Sequence, residues 1–485
     1  ITYSYIEYFG TMGDGLYKTE YHGKYYYMTN TQEPMEKKNV KMEVINPSCA
    51  GIDIGSRSHF VAIGQELTDV REFGVYEEDL IAICHWLSES CITSVAMEST
   101  GSYWQNLYVE LIRHGFEVVL ANGKFTKNIK GKKTDVKDAR WIQKLHSIGL
   151  LTGSFLPDEQ TEKLRTYCRQ RENWITLAAE ATHKMQKYLK LLNFRLDVVV
   201  RDVTGLTGLT IIKDICEGNL DPVALSKHRH YNCRKSEEEI AKALKGNNRE
   251  DFLFGLKQEY ESYNFYQKKI AECEKIINHY LKQQINTDPA KKKLKAPDKK
   301  HKRINKNAIK GIDLNQASFQ YFGGVDLMSI EGVSHSTILS IISEVGPEGF
   351  KEFATAKQFT SWLRLAPNNK ISGGKLLSSK TPKGSNRLKI ALRNAANAIG
   401  NLKDTHLSNF FKRVCYKKGR TVAVSATARK LAVIIWNMVV KQVPYNPPTE
   451  YLFLDEKRKL GLVSRIRKQI DKFALTNADL GFATN

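Results

Sequence analysis

Cys49-Ala-Gly-Ile-Asp-Ile-Gly-Ser56 is the stretch whose reading decides the first half of this chain. Its apolar run has the length of a buried strand, and Gly55 supplies a tight turn, so Asp53 stands close to the strand end. A second run of the same kind, Thr93-Ser-Val-Ala-Met-Glu98, ends on an acid. Lys133-Thr-Asp-Val-Lys-Asp-Ala-Arg140 has helical character, and the spacing of Asp135 and Asp138 puts both carboxylates on one helix face. Two adjacent strand ends and one helix face would bring Asp53, Glu98, Asp135 and Asp138 toward a pair of divalent ions. Carboxylates suit a hard cation such as Mg²⁺, and two such ions can clamp a phosphodiester during displacement. The four acids are therefore the candidate catalytic and metal-ligating residues. The plainer alternative makes Asp135 and Asp138 surface acids paired with Lys132, Lys133, Lys137 and Arg140.

The whole chain supports a polyanionic partner. It has 485 residues, 74 Lys and Arg against 52 Asp and Glu, and a formal net charge of +22. That excess favours nucleic acid, and the length calls for more than one domain. Eight cysteines occur without a Cys-x-x-Cys pair, which fits a reducing cytosol and excludes a zinc site of the usual spacing. No apolar run reads as long enough to span a membrane; Leu431 to Val440 reads as a buried helix. The expected location is the cytosol. The chain begins at Ile1, and the Tyr- and Gly-rich stretch up to about Asn39 has little periodicity. It reads as an over-extended frame, with native synthesis starting at Met28, Met35 or Met42.

From Pro47 to Leu150 the pattern gives strands at Ala50–Ile54, Ser58–Ile63 and Glu72–Tyr76, then a helix over Glu78–Ser88. The Glu98 strand, a helix from Trp104 to His114 and a strand over Glu117–Ala121 follow. Three early antiparallel strands followed by alternating helices and strands describe a mixed α/β sheet, and that order matches a ribonuclease-H-like domain. From Asp158 to Gln284 the chain reads as helical: Leu177, Met185, Tyr188, Leu189 and Leu192 recur near helical spacing in a first long segment, and Leu253, Leu256, Tyr260, Tyr263, Ile270, Cys273, Ile277 and Leu281 follow a nearly seven-residue rhythm in a second. They predict an antiparallel coiled coil or helical hairpin arm, with internal core packing and dimerisation both open. The lysine-rich run Pro289 to Arg303 is a solvated linker, an electrostatic tether for a nucleic-acid backbone, or both. Met328-Ser-Ile-Glu-Gly-Val-Ser-His335 resembles a helix-hairpin-helix turn at Gly332, a device that presents N–H groups to phosphate.

A second constellation spans Asn369-Lys-Ile-Ser-Gly-Gly-Lys-Leu-Leu-Ser-Ser-Lys-Thr-Pro-Lys-Gly-Ser-Asn-Arg387. Ser372 before Gly373 and Gly374 would be exposed on a flexible turn, with Lys375, Lys380, Lys383 and Arg387 close by. A hydroxyl amid cations is arranged to attack a phosphodiester if a base or metal takes its proton. Glycines let a nucleic-acid backbone approach closely. A phosphate-binding loop with no covalent role is the equal alternative, with Gly373, Gly374, Lys375, Lys380, Lys383 and Arg387 as nucleic-acid contacts in either case.

Taken together, the two constellations resemble the insertion-sequence transposases that join an N-terminal RuvC-like domain, named for its Asp-Glu-Asp-Asp set, to a C-terminal serine transposase domain. The likeness is carried by Gly51-Ile-Asp-Ile-Gly55, Met97-Glu-Ser-Thr-Gly-Ser-Tyr-Trp104 and Lys133-Thr-Asp-Val-Lys-Asp-Ala139. In the second half it is carried by Ile330-Glu-Gly-Val333, Phe359 to Pro367, Ser372-Gly-Gly-Lys375 and Lys383-Gly-Ser-Asn-Arg387. The resemblance implies a Mg²⁺-dependent recombinase guided by a non-coding bridge RNA that pairs with target and donor DNA. It implies that Asp53, Glu98, Asp135 and Asp138 hold Mg²⁺ and that Ser372 forms a covalent phosphoserine link to cleaved DNA. It further implies a homodimer assembling into a tetramer, with sites shared between protomers and exchange through a Holliday junction.

Against that family the chain departs in its long start, its basic insert and Leu376-Leu377 after the serine motif. Ser378, Ser379 and Ser385 are the alternative hydroxyls. The implied organisation is an extension over 1–46, a RuvC-like domain over 47–157 and a helical coiled-coil arm over 158–287. A basic linker over 288–314, a mostly helical serine transposase domain over 315–445 and a tail over 446–485 complete it. Three rival readings stand beside this one. They are a junction-resolving nuclease using metal-activated water, a non-catalytic nucleic-acid-binding protein, and an actin-like ATPase, for which no second phosphate loop is found.

Overall fold

The short apolar runs read between residues 49 and 121 are realised as strands. Leu16–Tyr21 (β1) and Lys24–Thr29 (β2) pair as an antiparallel hairpin that the sequence pattern does not announce. The computed structural model describes residues 16–21, 24–29, 43–99, 101–126, 134–298, 305–447, 452–476 and 479. The chain divides into two compact units, residues 1–154 and 155–485.

The first unit is built on a five-stranded sheet of Cys49–Ile54 (β3), His59–Ala62 (β4), Val70–Phe73 (β5), Ser94–Glu98 (β6) and Glu117–Ala121 (β7), in the order β5-β4-β3-β6-β7. The first three pair antiparallel; β6 joins β3 in parallel, and β7 joins β6 in parallel. Parallel strands are covered on both faces, which is why Ala50, Ile52, Val95, Ala96 and Met97 are all fully buried. The order antiparallel first, parallel later, is the expected mixed α/β arrangement. Its third strand lies earlier than the pattern suggests, because the chain turns at Gly74, where a Cβ would stand 2.1 Å from the Asp79 carboxylate. Asp79 accepts from the Tyr76 N–H at 3.0 Å and so starts the helix Glu77–Glu89.

In the second unit the helices Glu159–Leu191 and Glu250–Asn286 run antiparallel. Tyr167 meets Tyr280, Arg171 meets Glu274, Lys184 meets Glu259, and Tyr188 meets Gly255. The heptad-like rhythm is thus used within one chain. The far end of the pair is capped by short helices between Leu196 and Ala243, whose Ile211, Ile212, Leu225 and Ile240 bury against Met185, Leu189 and Leu256. At the near end Leu164, Cys168, Ile277 and Leu281 belong to the same core as the last helices, so arm base and last region fold together.

Two expectations in that last region change. The helix-hairpin-helix element has only a 3-10 turn, Leu327–Ser329, before Gly332, and a single helix, His335–Glu344, after it. The helix Arg420–Lys441 is long and apolar enough to cross a membrane, longer than the run read from sequence. It is a core helix all the same, since Ala423, Ala428, Leu431, Ala432, Ile435 and Trp436 are buried against neighbouring helices.

Candidate functional site

Pairing register sets the first two acids side by side. Ile52 of β3 lies opposite Met97 of β6, so Asp53 and Glu98 follow as neighbours at the ends of adjacent parallel strands. Alternation turns Gly51 and Asp53 to one face, and the helix Asp135–Ser147 lies on that face. A Cβ at Gly51 would come 2.1 Å from the Gln143 nitrogen, so only glycine lets this helix approach the strand so closely.

The helix runs against the strand direction. Ile45 and Asn46 bond Ser147 and His146, and the Gln143 amide donates to the Cys49 carbonyl at 3.3 Å. Gly51 sits beneath Ala139 and Gln143. Two strand residues advance about 6.6 Å and four helical residues about 6 Å, which carries the first helical turn, with Asp135 and Asp138, to the level of Asp53. Thr134 caps that helix.

The fold therefore brings all four acids to one end of the sheet, and their all-oxygen chemistry fits a hard divalent cation. Their side chains are a different matter. Among the described residues no three His, Cys, Asp or Glu side chains gather closely enough to hold one ion. Glu98 accepts a bond from the Thr126 hydroxyl and its carboxylate packs on Gly123; Asp135 is exposed and Asp53 and Asp138 are half-buried. Lys132 and Lys133, offered as ion-pair partners, lie outside the described residues.

Ser372 ends the strand Lys370–Ser372 (β8), which pairs with Lys375–Ser378 (β9). Ser372 and Lys375 face each other across Gly373 (φ +54) and Gly374 (φ +74), a two-residue turn with both residues left-handed. The serine is exposed as expected, but on a tight hairpin and not on a loose turn. The base of the loop is held from below. The Asn368 N–H donates to the Lys380 carbonyl at 3.0 Å, Arg364 donates to the Lys383 carbonyl at 2.6 Å, and Lys389 donates to the Pro382 carbonyl at 3.1 Å. Burial, then the charges of Arg393 and Arg364, hold the Lys389 ammonium below its ordinary pKa. Lys375, Lys380 and Lys383 are exposed, whereas Arg387 is engaged by Glu172 of the arm. Beside that pair a cleft of about 480 Å³ is lined by Arg171, Glu172, Asn305, His335, Ser336 and Arg387.

Sequence reasoning missed Thr126, Arg364, Lys389 and Glu172, because each acts through a partner seven or more residues away that no local pattern specifies. Gly51 lay within a motif already singled out, and its small size beside an acid was the available signal.

Two family profiles match the chain. One, of the DEDD type and described as a transposase, covers residues 50–194, and one described as "Transposase IS116/IS110/IS902 family" covers residues 326–412. The "Probable family 20 transposase" of Pseudomonas aeruginosa is 25% identical over 126 residues, or 25% of this chain. The match spans 36% of that relative's length. The profiles bracket the two constellations, the acids in the first match and Ser372 in the second.

Proposed function

We propose, from the premise that the chain belongs to the IS116/IS110/IS902 family of transposases, that it cuts and rejoins DNA strands by phosphoryl transfer. The observation that carries this reading is the placement of Asp53 and Glu98 on neighbouring strand ends with Asp135 and Asp138 at the same level. The strand order β5-β4-β3-β6-β7 supports assigning the first unit as a RuvC-like member of the ribonuclease-H-like folds. Asp53, Glu98, Asp135 and Asp138 would hold Mg²⁺, which when bound would supply positive charge to offset that developing on the phosphate oxygens.

The chain's own chemistry is the serine step. Ser372 Oγ attacks phosphorus, forming a phosphoserine ester as the bond to one sugar oxygen breaks. The seryl proton leaves to a base, and the departing sugar oxygen gains one. A sugar hydroxyl from another strand then attacks phosphorus, releases Ser372 and rejoins DNA. Attacking and leaving oxygens must lie in line. The hairpin positions Oγ at an exposed edge, and Lys375, Lys380 and Lys383 attract the phosphate backbone. In this reading a bridge RNA from the element's flank supplies sequence choice. Protomers pair and then form a tetramer, and exchange runs through a Holliday junction.

The deciding experiment incubates the full chain with flanking-element DNA, co-expressed flank RNA and Mg²⁺, and looks for a denaturant-resistant protein–DNA adduct. Peptide mapping should place it on Ser372, and Ser372→Ala should abolish it. Cleavage that persists in Ser372→Ala would instead identify a nuclease using activated water. A discrete flank-encoded RNA copurifying with the protein is expected; heterogeneous host RNA would overturn guidance.

A further inference from the structure

The serine hairpin has a feature that phosphate attraction does not explain. Ile371, Leu376 and Leu377 are 65%, 58% and 68% exposed, three large aliphatic side chains on the short ribbon Lys370–Ser378. Ile371 and Leu376 are cross-strand partners, so they share one face. Leu377 is the extra residue at the register shift that follows, beside Leu376 and opposite the Lys370–Ile371 step. Among the described residues nothing covers these three side chains, and a Cβ at Gly373 or Gly374 would meet nothing within 4 Å. The ribbon is anchored at its base by Arg364, Asn368 and Lys389 and projects beyond them. An isolated two-stranded hairpin is marginal in water, so three exposed aliphatic side chains at its tip point to an occupant that covers them.

Charge names the occupant. Residues 353–403 contain ten Lys and Arg and no Asp or Glu. An apolar tip on an acid-free basic segment fits a polyanion that also offers flat apolar surfaces, which is nucleic acid with exposed bases. We propose that Ile371, Leu376 and Leu377 form a wedge that enters between bases of opened DNA beside the phosphate that Ser372 attacks. The proposal rests on the transposase reading and adds a preference to it. The wedge occupies sites where bases are already unstacked, because opening a fully paired step costs free energy that a mismatch has already spent. Ile371, Leu376 and Leu377 are thus positioning residues, seating one phosphate against the serine.

The test measures binding of the full chain to a short DNA duplex and to the same duplex carrying a small mismatched bubble. The native protein should favour the bubble by roughly tenfold. The double substitution Leu376→Ser with Leu377→Ser, and separately Ile371→Ser, should bring that ratio toward one. All three positions are exposed, so folding is expected to survive, and a thermal melt checks it. Lys380→Gln should weaken both complexes and leave the ratio intact. A ratio that persists in the Leu variants, or a native ratio of one, overturns the wedge. So does a change of oligomeric state in those variants, which would make the tip a contact between copies. Failure to bind either DNA overturns the transposase reading as well, and so registers differently.

Discussion

Gly51 is the residue on which the acidic end of the sheet depends. Its missing side chain admits the helix that carries Asp135 and Asp138, and a Cβ there would collide with backbone, which cannot rotate away. Gly51→Ala should destabilise the first unit by about 1–3 kcal/mol, in the range of overpacked cores. It should also reduce cleavage more than a control substitution of equal stability, as compared by melting and by strand-cleavage rate.

Two buried histidines of the same unit give a pH signature. His59 is 2% and His146 4% exposed, and burial lowers the pKa of each below 6.5. His146 Nε2 bonds the Ser94 hydroxyl at 2.8 Å. With the folded pKa lowered, the unfolded chain binds more protons once pH falls through 6.5, so stability is full above that value and is lost below it. Melting followed from pH 8 to pH 5 should show this loss, reduced in His146→Gln. Equal slopes for the two proteins would remove His146 from the account.

The arm helices gain register as well as area where they pair. Arg171 and Glu274, each 7% exposed, bond at 2.7 Å, and Arg171 also donates to the Asn307 carbonyl at 2.8 Å. Removing one partner leaves a buried charge, so Glu274→Ala should cost about 3–5 kcal/mol, read by denaturant unfolding. Replacing both by apolar residues of similar volume should cost much less, which separates the lone charge from the worth of the pair. Periodicity announced these helices and their antiparallel use, but not that their base belongs to the last core. That depends on Leu164 and Ile277 sharing one core with residues far along the chain, such as Ile338. The serine hairpin was legible as glycines and missed as strands, because two-residue turns and unburied pairs leave little apolar alternation. Tyr445 and Glu331, 114 residues apart, show the same kind of contact that no local pattern carries.

For the whole molecule, the net charge of +22 predicts binding that falls steeply with salt. A plot of log affinity against log salt should be linear and steep. Each of Lys375→Gln, Lys380→Gln and Lys383→Gln should lower its slope by about one while leaving sequence preference unchanged, the expected behaviour of phosphate contacts. An unchanged slope would move these lysines off the backbone path.

The sequence by itself determined the α/β character of the first unit, the helical hairpin, the basic charge and the two sets of candidate residues. Those follow from periodicity, composition and short motifs, which are local. Only the tertiary structure decided that Asp53 and Glu98 stand abreast, that the helix of Asp135 and Asp138 lies over the Gly51 face, and that Thr126 engages Glu98. It also decided that Ser372 closes an anchored hairpin with an uncovered apolar tip. Strand register and helix approach are set by packing between segments tens of residues apart, and no window of sequence contains both sides of such a contact.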